Sequence, residues 1–169
     1  GGYQVYLEDI SQEMLDAAMQ VVGPHVASLF AWREEDEYIF LMREKVKGTP
    51  LVDLLRDMSG LPLEQVVEVV EAVTEVLGDA YGKGLFYLGL NPGQVMVDAG
   101  GEVKVVRVGY SWLLEEIDPL EAARVSTYRA PETDGGKEGT RTSDVYSLAV
   151  MIGEMFPRYE VSSRLGSLL

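Results

Sequence analysis

Side chains able to do covalent or acid–base chemistry are few in this sequence. It has no cysteine and one histidine, His25. Without a thiolate there is no disulfide, no Cys nucleophile and no zinc–thiolate site. A Ser-His-Asp arrangement would have to use the single imidazole. His25 follows Gly23-Pro24, a turn signal, so a contact within that turn is the simpler role. Carboxylates are abundant instead, 28 Asp and Glu against 14 Lys and Arg. Residues 34–37 form an acidic run, which reads as a solvated turn able to hold a cation loosely. Asp98 and Glu102 flank the Gly100-Gly101 turn and read as solvated. Glu64, Glu68, Glu71, Glu75 and Asp79 step by three or four, as one helix face does. That stripe is either a solvated surface or a docking surface for a basic partner. Trp32 and Trp112 read as packing residues rather than stacking platforms.

The elements that must position these groups follow from length and periodicity. The chain has 169 residues, 47% of them apolar, and a net charge of −14. That suits one domain with a core. An acidic field repels phosphates, so nucleic acid and anionic membrane surfaces are poor partners. No apolar run approaches the roughly 20 residues of a membrane span. The chain begins Gly-Gly without an initiator Met, as a piece of something longer would.

Residues 3–7 read as a strand, and 11–22 as a helix with Ser11 as cap, ended by Gly23-Pro24. Residues 26–32 and 37–43 read as a hairpin, and 51–57 as a short helix. Residues 62–81 read as a long helix with Val66, Val69, Val70, Val73, Val76, Leu77 and Ala80 on its apolar face. Residues 94–97 and 103–108 read as a second hairpin, and 111–140 as irregular. Residues 142–156 read as an apolar helix capped by Ser143. The order predicts an α+β chain with a small sheet-bearing lobe and a helical lobe.

The segment Gly84–Tyr110, GLFYLGLNPGQVMVDAGGEVKVVRVGY, resembles the catalytic core of a protein kinase. It aligns without a gap to G-[IV]-[IV]-H-R-D-L-K-P-x-N-[IV]-L-L-x-x-x-G-x-[VI]-K-[LI]-x-D-F-G. Ala130-Pro131-Glu132 matches A-P-E, and residues 142–148 match K-S-D-V-Y-S-L at the expected distance. The resemblance runs from about residue 3 to 156 and is strongest to bacterial Ser/Thr kinases. It implies a kinase-like fold with a reduced N-lobe over 1–46, a short antiparallel sheet plus one helix. A truncated helical C-lobe over 47–169 completes one structural domain.

The resemblance also implies which positions would carry kinase chemistry. The catalytic-loop base falls on Gly89, after Tyr87 and Leu88 in place of His and Arg. The catalytic-loop Lys falls on Asn91, the Asn that helps to hold Mg²⁺ on Gln94, and the Asp of D-F-G on Arg107. Glycine accepts no proton, and Arg has donors only, so it cannot ligate a metal. The strand Lys falls near Tyr6 and its Glu partner near Met14, beside Glu13. The Gly-rich phosphate loop is expected to be missing, since the chain starts about where the next strand does. Arg43 stands behind the adenine pocket, where burial would demand a partner such as Glu44. Arg43, Glu44, Val46 and Met96 form the candidate remnant pocket. Tyr87 and Val108 would stack between the lobes. Glu132 would pair with a late Arg, none being identifiable here, and Asp144 would bond the catalytic-loop backbone.

The expectation is therefore a catalytically inactive pseudokinase, not an enzyme, acting as a protein-binding or regulatory module. No cofactor is expected, neither ATP nor Mg²⁺, and no metal site. The alternative is a Mg-independent nucleotide binder or a nucleotide-transferring enzyme, with Arg43 and Arg107 on phosphates. Ser126 and Thr127 are candidate phosphosites, with Ser111 in the same segment and Val125 at the family's substrate-site Thr. The partner would be a kinase or a phosphopeptide-binding protein. An apolar face left on the helix 142–156 and an unpaired first strand predict a homodimer or an obligate partner. The expected location is cytoplasmic, or the cytoplasmic part of a larger membrane protein.

Overall fold

The computed structural model describes residues 12–36, 38–57, 60–86, 89–111, 119–133 and 140–156. The predicted strand 3–7, Ser11, Tyr87, Leu88 and Trp112 lie outside them. In chain order come helix α1 (Gln12–Met19), strands β1 (Leu29–Glu35), β2 (Tyr38–Arg43) and β3 (Thr49–Pro50), and helix α2 (Leu51–Leu54). A 3₁₀ turn over Leu55–Asp57 follows, then helix α3 (Leu63–Gly82). A second 3₁₀ turn, Pro92–Gln94, leads into β4 (Val95–Val97) and β5 (Val103–Val105). Helix α4 (Pro119–Tyr128), a 3₁₀ turn over Pro131–Thr133 and helix α5 (Arg141–Met155) complete the order. The fold of the described residues is mixed α+β, with small antiparallel sheets and several helices.

The core grows from α3. Its buried stripe is Val66, Val69, Ala72, Val73, Val76, Leu77 and Ala80, spaced for one helix face. The stripe carboxylates Glu64, Glu68, Glu71, Glu75 and Asp79 are exposed on the opposite side. Leu15 and Ala18 of α1, the valines of β4 and β5, and Met151 and Met155 of α5 close on the same cluster. Burying a side chain of this size stabilises by about 1.5–3 kcal/mol. That gain holds α1, α3, α5 and the second sheet as one packed body.

Two sheets meet this core. β1 and β2 pair antiparallel, while β3, β4 and β5 form a three-stranded sheet in that order. The link between α1 and β1 docks on β5 through a Val26–Val105 parallel bridge. His25 is the pin of that link. Its ring Nδ1 lies 2.9 Å from the Val103 carbonyl, its own carbonyl accepts the Val105 N–H at 2.8 Å, and Nε2 stands 3.9 Å from Glu75. Its role is structural, but the bonds run to β5 and not within the turn that the sequence suggested. Trp32 also does more than pack, donating its indole N–H to Asp16 at 2.8 Å.

Several boundaries differ from the periodicity. The segment 111–140 is not irregular throughout, since α4 occupies Pro119–Tyr128. Asp118-Pro119 reads as a turn, yet a proline at the first helical position is preorganised for a helix. Helix α5 begins one residue early, with Thr140 as its cap; the Thr140 N–H donates to Ser143 Oγ at 3.1 Å. Asp98 is not merely solvated. Its Oδ1 accepts the N–H groups of Gly100 at 2.7 Å and Glu102 at 3.0 Å, and so closes the β4–β5 turn. The outer face of the first hairpin stays apolar, with Phe30, Tyr38, Phe40 and Met42 exposed. Val145 and Tyr146 on α5 are exposed too.

Candidate functional site

The segment 44–47 leaves β2 and leads through Gly48 to β3, which begins at Thr49. It passes over β4, and between them opens a cleft of about 570 Å³ lined by residues 41–46, Gly93, Met96, Val106 and Arg107. A smaller recess of about 210 Å³ continues it toward Asp98, Glu102 and Lys104. Arg43, Glu44, Val46 and Met96, separated by up to 53 positions, thus share one cavity, and Arg107 joins them. Met96 and Val46 supply apolar walls. Leu41, Met42 and Val106 add further apolar surface, and Arg43, Lys45 and Arg107 bring positive charge beside Glu44.

Glu44 is not the partner of Arg43's charge. Its carboxylate takes the Lys104 ammonium at 2.6 Å and the Ser28 N–H at 3.4 Å. The Lys104 hydrogen bond holds the Glu44 carboxyl below its ordinary value, against the opposing effect of burial. Among the described residues Arg43 reaches the Glu44 carbonyl, at 3.5 Å, and it is exposed rather than buried. Arg43 is the last residue of β2, opposite Leu29, where the register shifts between Leu29 and Ala31 of β1. The burial penalty expected for this guanidinium therefore does not arise. Lys104 was not singled out from sequence. It stands at the K of the aligned G-x-[VI]-K-[LI] run, a signal to which no role was attached, and in the fold it pairs opposite Met96.

The catalytic-loop positions form a tightly bonded turn. Gly89 is buried at φ +89°, a left-handed conformation that favours glycine. Its carbonyl accepts the Asn91 side-chain N–H at 3.0 Å, and Asn91 Oδ1 accepts the Gly93 N–H at 2.8 Å. The Asn91 N–H donates to Gln94 Oε1 at 3.2 Å, which completes a capping box for the turn Pro92–Gln94. Asn91 and Gln94 are fully buried. Gln94 Nε2 has no hydrogen-bond partner among the described residues. A cation still comes near this loop. Arg124 of α4 puts Nη1 3.7 Å from where a Cβ on Gly93 would lie. No sequence motif marked Arg124.

Arg107 follows β5 and also has a positive φ, +65°, uncommon for a residue with a side chain. Val108 and Tyr110 beyond it are buried. Val108 joins the core, while the Tyr87 half of the expected stack lies outside the described residues. Asp144 is 1% exposed and accepts the Tyr81 hydroxyl at 3.0 Å, anchoring α5 to α3. Burial, then the neighbouring Asp144, pushes the Tyr81 phenol well up. Glu132 accepts the Ser143 hydroxyl at 3.2 Å. Ser126 and Thr127 are exposed on α4, whereas Val125 and Ser111 are buried. The buried Ser111 hydroxyl is a poor acceptor for modification.

The residues present were tested against a magnesium site. Magnesium asks for oxygen donors in near-octahedral geometry, generally one or two carboxylates plus substrate phosphates. The two positions that the alignment assigns to metal ligands are Gln94 and Arg107, and neither is a carboxylate. Among the described residues no group of three His, Cys, Asp or Glu could hold a metal ion. These side chains do not fit a protein-held metal at that position.

A three-stranded sheet entered by the segment 44–47, a cleft beside it and a capped loop beneath are the parts of a protein kinase domain. The protein kinase domain family matches residues 6–166, and the chain belongs to that family. It is 29% identical over 147 residues to serine/threonine-protein kinases PknA of Corynebacterium glutamicum, covering 82% of this chain and 31% of the relative. It is 28% identical over 154 residues to serine/threonine-protein kinase PknA of Mycobacterium tuberculosis, covering 86% and 36%. It is 22% identical over 142 residues to serine/threonine-protein kinase PrkC of Bacillus subtilis, covering 82% and 22%. The chain thus spans about a third or less of the length of these curated relatives.

These findings correct the sequence reading in two respects. The expectation of a catalytically inactive, non-enzymatic module is overturned: the family is that of kinase domains, and the relatives are named as serine/threonine kinases. The expectation of no cofactor falls with it, because that class works on ATP with Mg²⁺. The physical reason is that kinase catalysis is mostly positioning and charge stabilisation. Side chains changed at single positions do not by themselves remove a chain from the class.

Proposed function

We propose that this chain serves a serine/threonine-type protein kinase, binding ATP in the cleft beside the segment 44–47 for phosphoryl transfer to protein hydroxyls. The observation that carries this reading is the cleft itself, about 570 Å³ between that segment and β4. Its size suits a cofactor, since ligand pockets run about 300–1,000 Å³. Val46 and Met96 are apolar surfaces against which a planar base can lie. Among the described residues no helix is long and apolar enough to cross a membrane, which is compatible with work on the cytoplasmic side. Exposed Ser126 and Thr127 are acceptors for phosphate from this or another kinase.

The chain's own part in transfer is to hold and to neutralise. Gly89 supplies no base, so an acceptor hydroxyl would be oriented by the loop rather than deprotonated by it. Bound ATP brings the transferable phosphoryl group and any Mg²⁺ it carries. The test is direct. Purified chain with Mg·ATP should melt at a higher temperature than without it, because a ligand that binds only the folded state stabilises it. Labelled γ-phosphate should appear on protein Ser or Thr. No thermal shift at millimolar Mg·ATP, together with no transfer, would refute the proposal.

A further inference from the structure

We infer that Glu44 and Lys104 form a clasp that sets the position of the segment 44–47, and with it the opening of the cleft. Lys104 is then a positioning residue for the ligand, since it lines the recess and not the main cleft. The inference rests on the nucleotide reading above for its ligand, and names what holds that site in shape. The first observation is how the segment is fastened. Residues 44–47 belong to no helix or strand. Among the described residues, every hydrogen bond of this stretch runs through Glu44. Its N–H donates to the Ser28 carbonyl at 2.8 Å, and its carboxylate takes the Lys104 ammonium at 2.6 Å and the Ser28 N–H at 3.4 Å. Lys45, Val46 and Lys47 are strung between that point and Gly48, whose backbone lies hard against the Val97 carbonyl.

The second observation is what the clasp is anchored to. Lys104 Nζ also donates to the Val26 carbonyl at 3.4 Å. Val105 beside it is bonded twice to the link before β1. Its N–H donates to the His25 carbonyl at 2.8 Å, and its carbonyl accepts the Ala27 N–H at 2.9 Å. Val103 and Val105 are both buried in the core. The Lys104 end is thus fixed, and the Glu44 end carries the wall of the cleft. The third observation is the scale of the pair. Its side chains keep 26% and 30% exposure, so its loss costs the whole fold little. For the segment it is the main fastening. A ligand that uses Val46 as a wall binds in proportion to the fraction of molecules in which that wall is in place. Breaking the clasp therefore costs affinity without unfolding the chain.

The experiment is calorimetric titration of the full chain with Mg·ATP, together with amide hydrogen exchange. It is repeated on Lys104→Met, Glu44→Gln, the two combined, and Lys104→Arg. Lys104→Met removes a positive charge and Glu44→Gln a negative one. A field effect on an anion would move affinity in opposite directions. The clasp predicts a loss of about fivefold in both. The combined variant should lose about as much as either alone, because both substitutions remove the same contact. Lys104→Arg keeps the cation and should bind within about twofold of the parent. In Lys104→Met the Glu44 amide should exchange about fivefold faster while the amides of α3 keep the parent rate. Each variant should melt within about 4 °C of the parent. Parent-like or tighter ATP binding by Lys104→Met, opposite shifts in the two single variants, or losses that add when combined would overturn the clasp while the nucleotide reading stands. Exchange accelerated equally in α3 would overturn it too, as a global loss of stability. ATP bound by no form, with the Glu44 amide alone accelerated, would refute the nucleotide reading and keep the clasp. ATP bound by no form, with the parent exchange pattern, would overturn both.

Discussion

The sharpest stability prediction concerns Gly48, where the segment 44–47 turns into β3. Its φ is +126°, outside the conformations open to residues with a Cβ. A Cβ there would lie 2.6 Å from the Val97 carbonyl oxygen and 2.8 Å from its carbon. Those are backbone atoms of β4 and cannot swing aside. Gly48→Ala therefore incurs backbone strain of about 1–3 kcal/mol. It also pries apart the pairing of Thr49 with Val97 and Pro50 with Met96, losing about 1 kcal/mol per hydrogen bond. The combined loss is about 3 kcal/mol, and at this chain length 1 kcal/mol moves Tm by about 2–4 °C. Gly48→Ala should thus melt about 6–12 °C lower. Gly78 is the internal control. It sits within α3, and a Cβ there meets nothing within 4 Å. Gly78→Ala should raise stability by about 0.5–1 kcal/mol, because glycine is a poor helix former. Urea unfolding followed by far-ultraviolet circular dichroism reads both changes. If Gly48→Ala unfolded within about 0.5 kcal/mol of the parent, or if the two substitutions shifted stability the same way, the reasoning would be wrong.

Three further outcomes are expected. Glu44 has its carboxyl lowered chiefly by Lys104, so its contribution is present above its unfolded value and fades as pH falls through the folded one. Glu44→Gln should flatten the acid limb of the stability–pH curve, by less than about 1 kcal/mol because both partners retain solvent contact. Tyr81→Phe leaves the buried Asp144 carboxylate without its 3.0 Å donor and should cost about 1–3 kcal/mol at neutral pH. The Tyr81 phenol is raised, so its contribution is present below the unfolded value near 10 and lost as pH rises through the folded one; the variant should lack that alkaline slope in melts from pH 8 to 12. Asp98→Ala removes the acceptor shared by Gly100 and Glu102 and should lower stability by about 1 kcal/mol, while Asp98→Asn, which keeps the oxygen, should recover most of it in the same urea assay.

What could be read from the sequence follows the physics of each signal. Helix α3 was legible because seven buried positions repeat at helical spacing and five carboxylates repeat opposite them. Helix α4 was not, because its inward face rests on little more than Val125 and Tyr128, and Asp118-Pro119 resembles a turn. Its docking depends on bonds to a distant helix, Tyr128 to Glu154 at 2.6 Å and Ser147 to the Tyr128 carbonyl at 2.8 Å. No local pattern encodes those bonds. Arg43 looked buried because the resemblance sets it behind the adenine pocket, whereas in the fold it is the exposed last residue of β2, opposite Leu29. The pairing of Glu44 with Lys104 spans 60 positions and leaves no trace in either neighbourhood.

The same limit explains the corrected function. Residue types at Gly89, Asn91, Gln94 and Arg107 depart together from the roles that the alignment gives those positions. In the fold they are parts of a constellation. Asn91 and Gln94 spend their polar atoms on capping the loop, and Arg124 brings a guanidinium beside Gly93 from another helix. Arg107 faces the cleft together with Arg43. Phosphoryl transfer depends on where charge is held more than on which strand supplies it. A cation arriving from α4, or from the bend after β5, is invisible to an alignment that asks only what stands at the catalytic-loop Lys or the D-F-G Asp. These positions therefore say little of the class when taken alone; kinship and the cleft carry it.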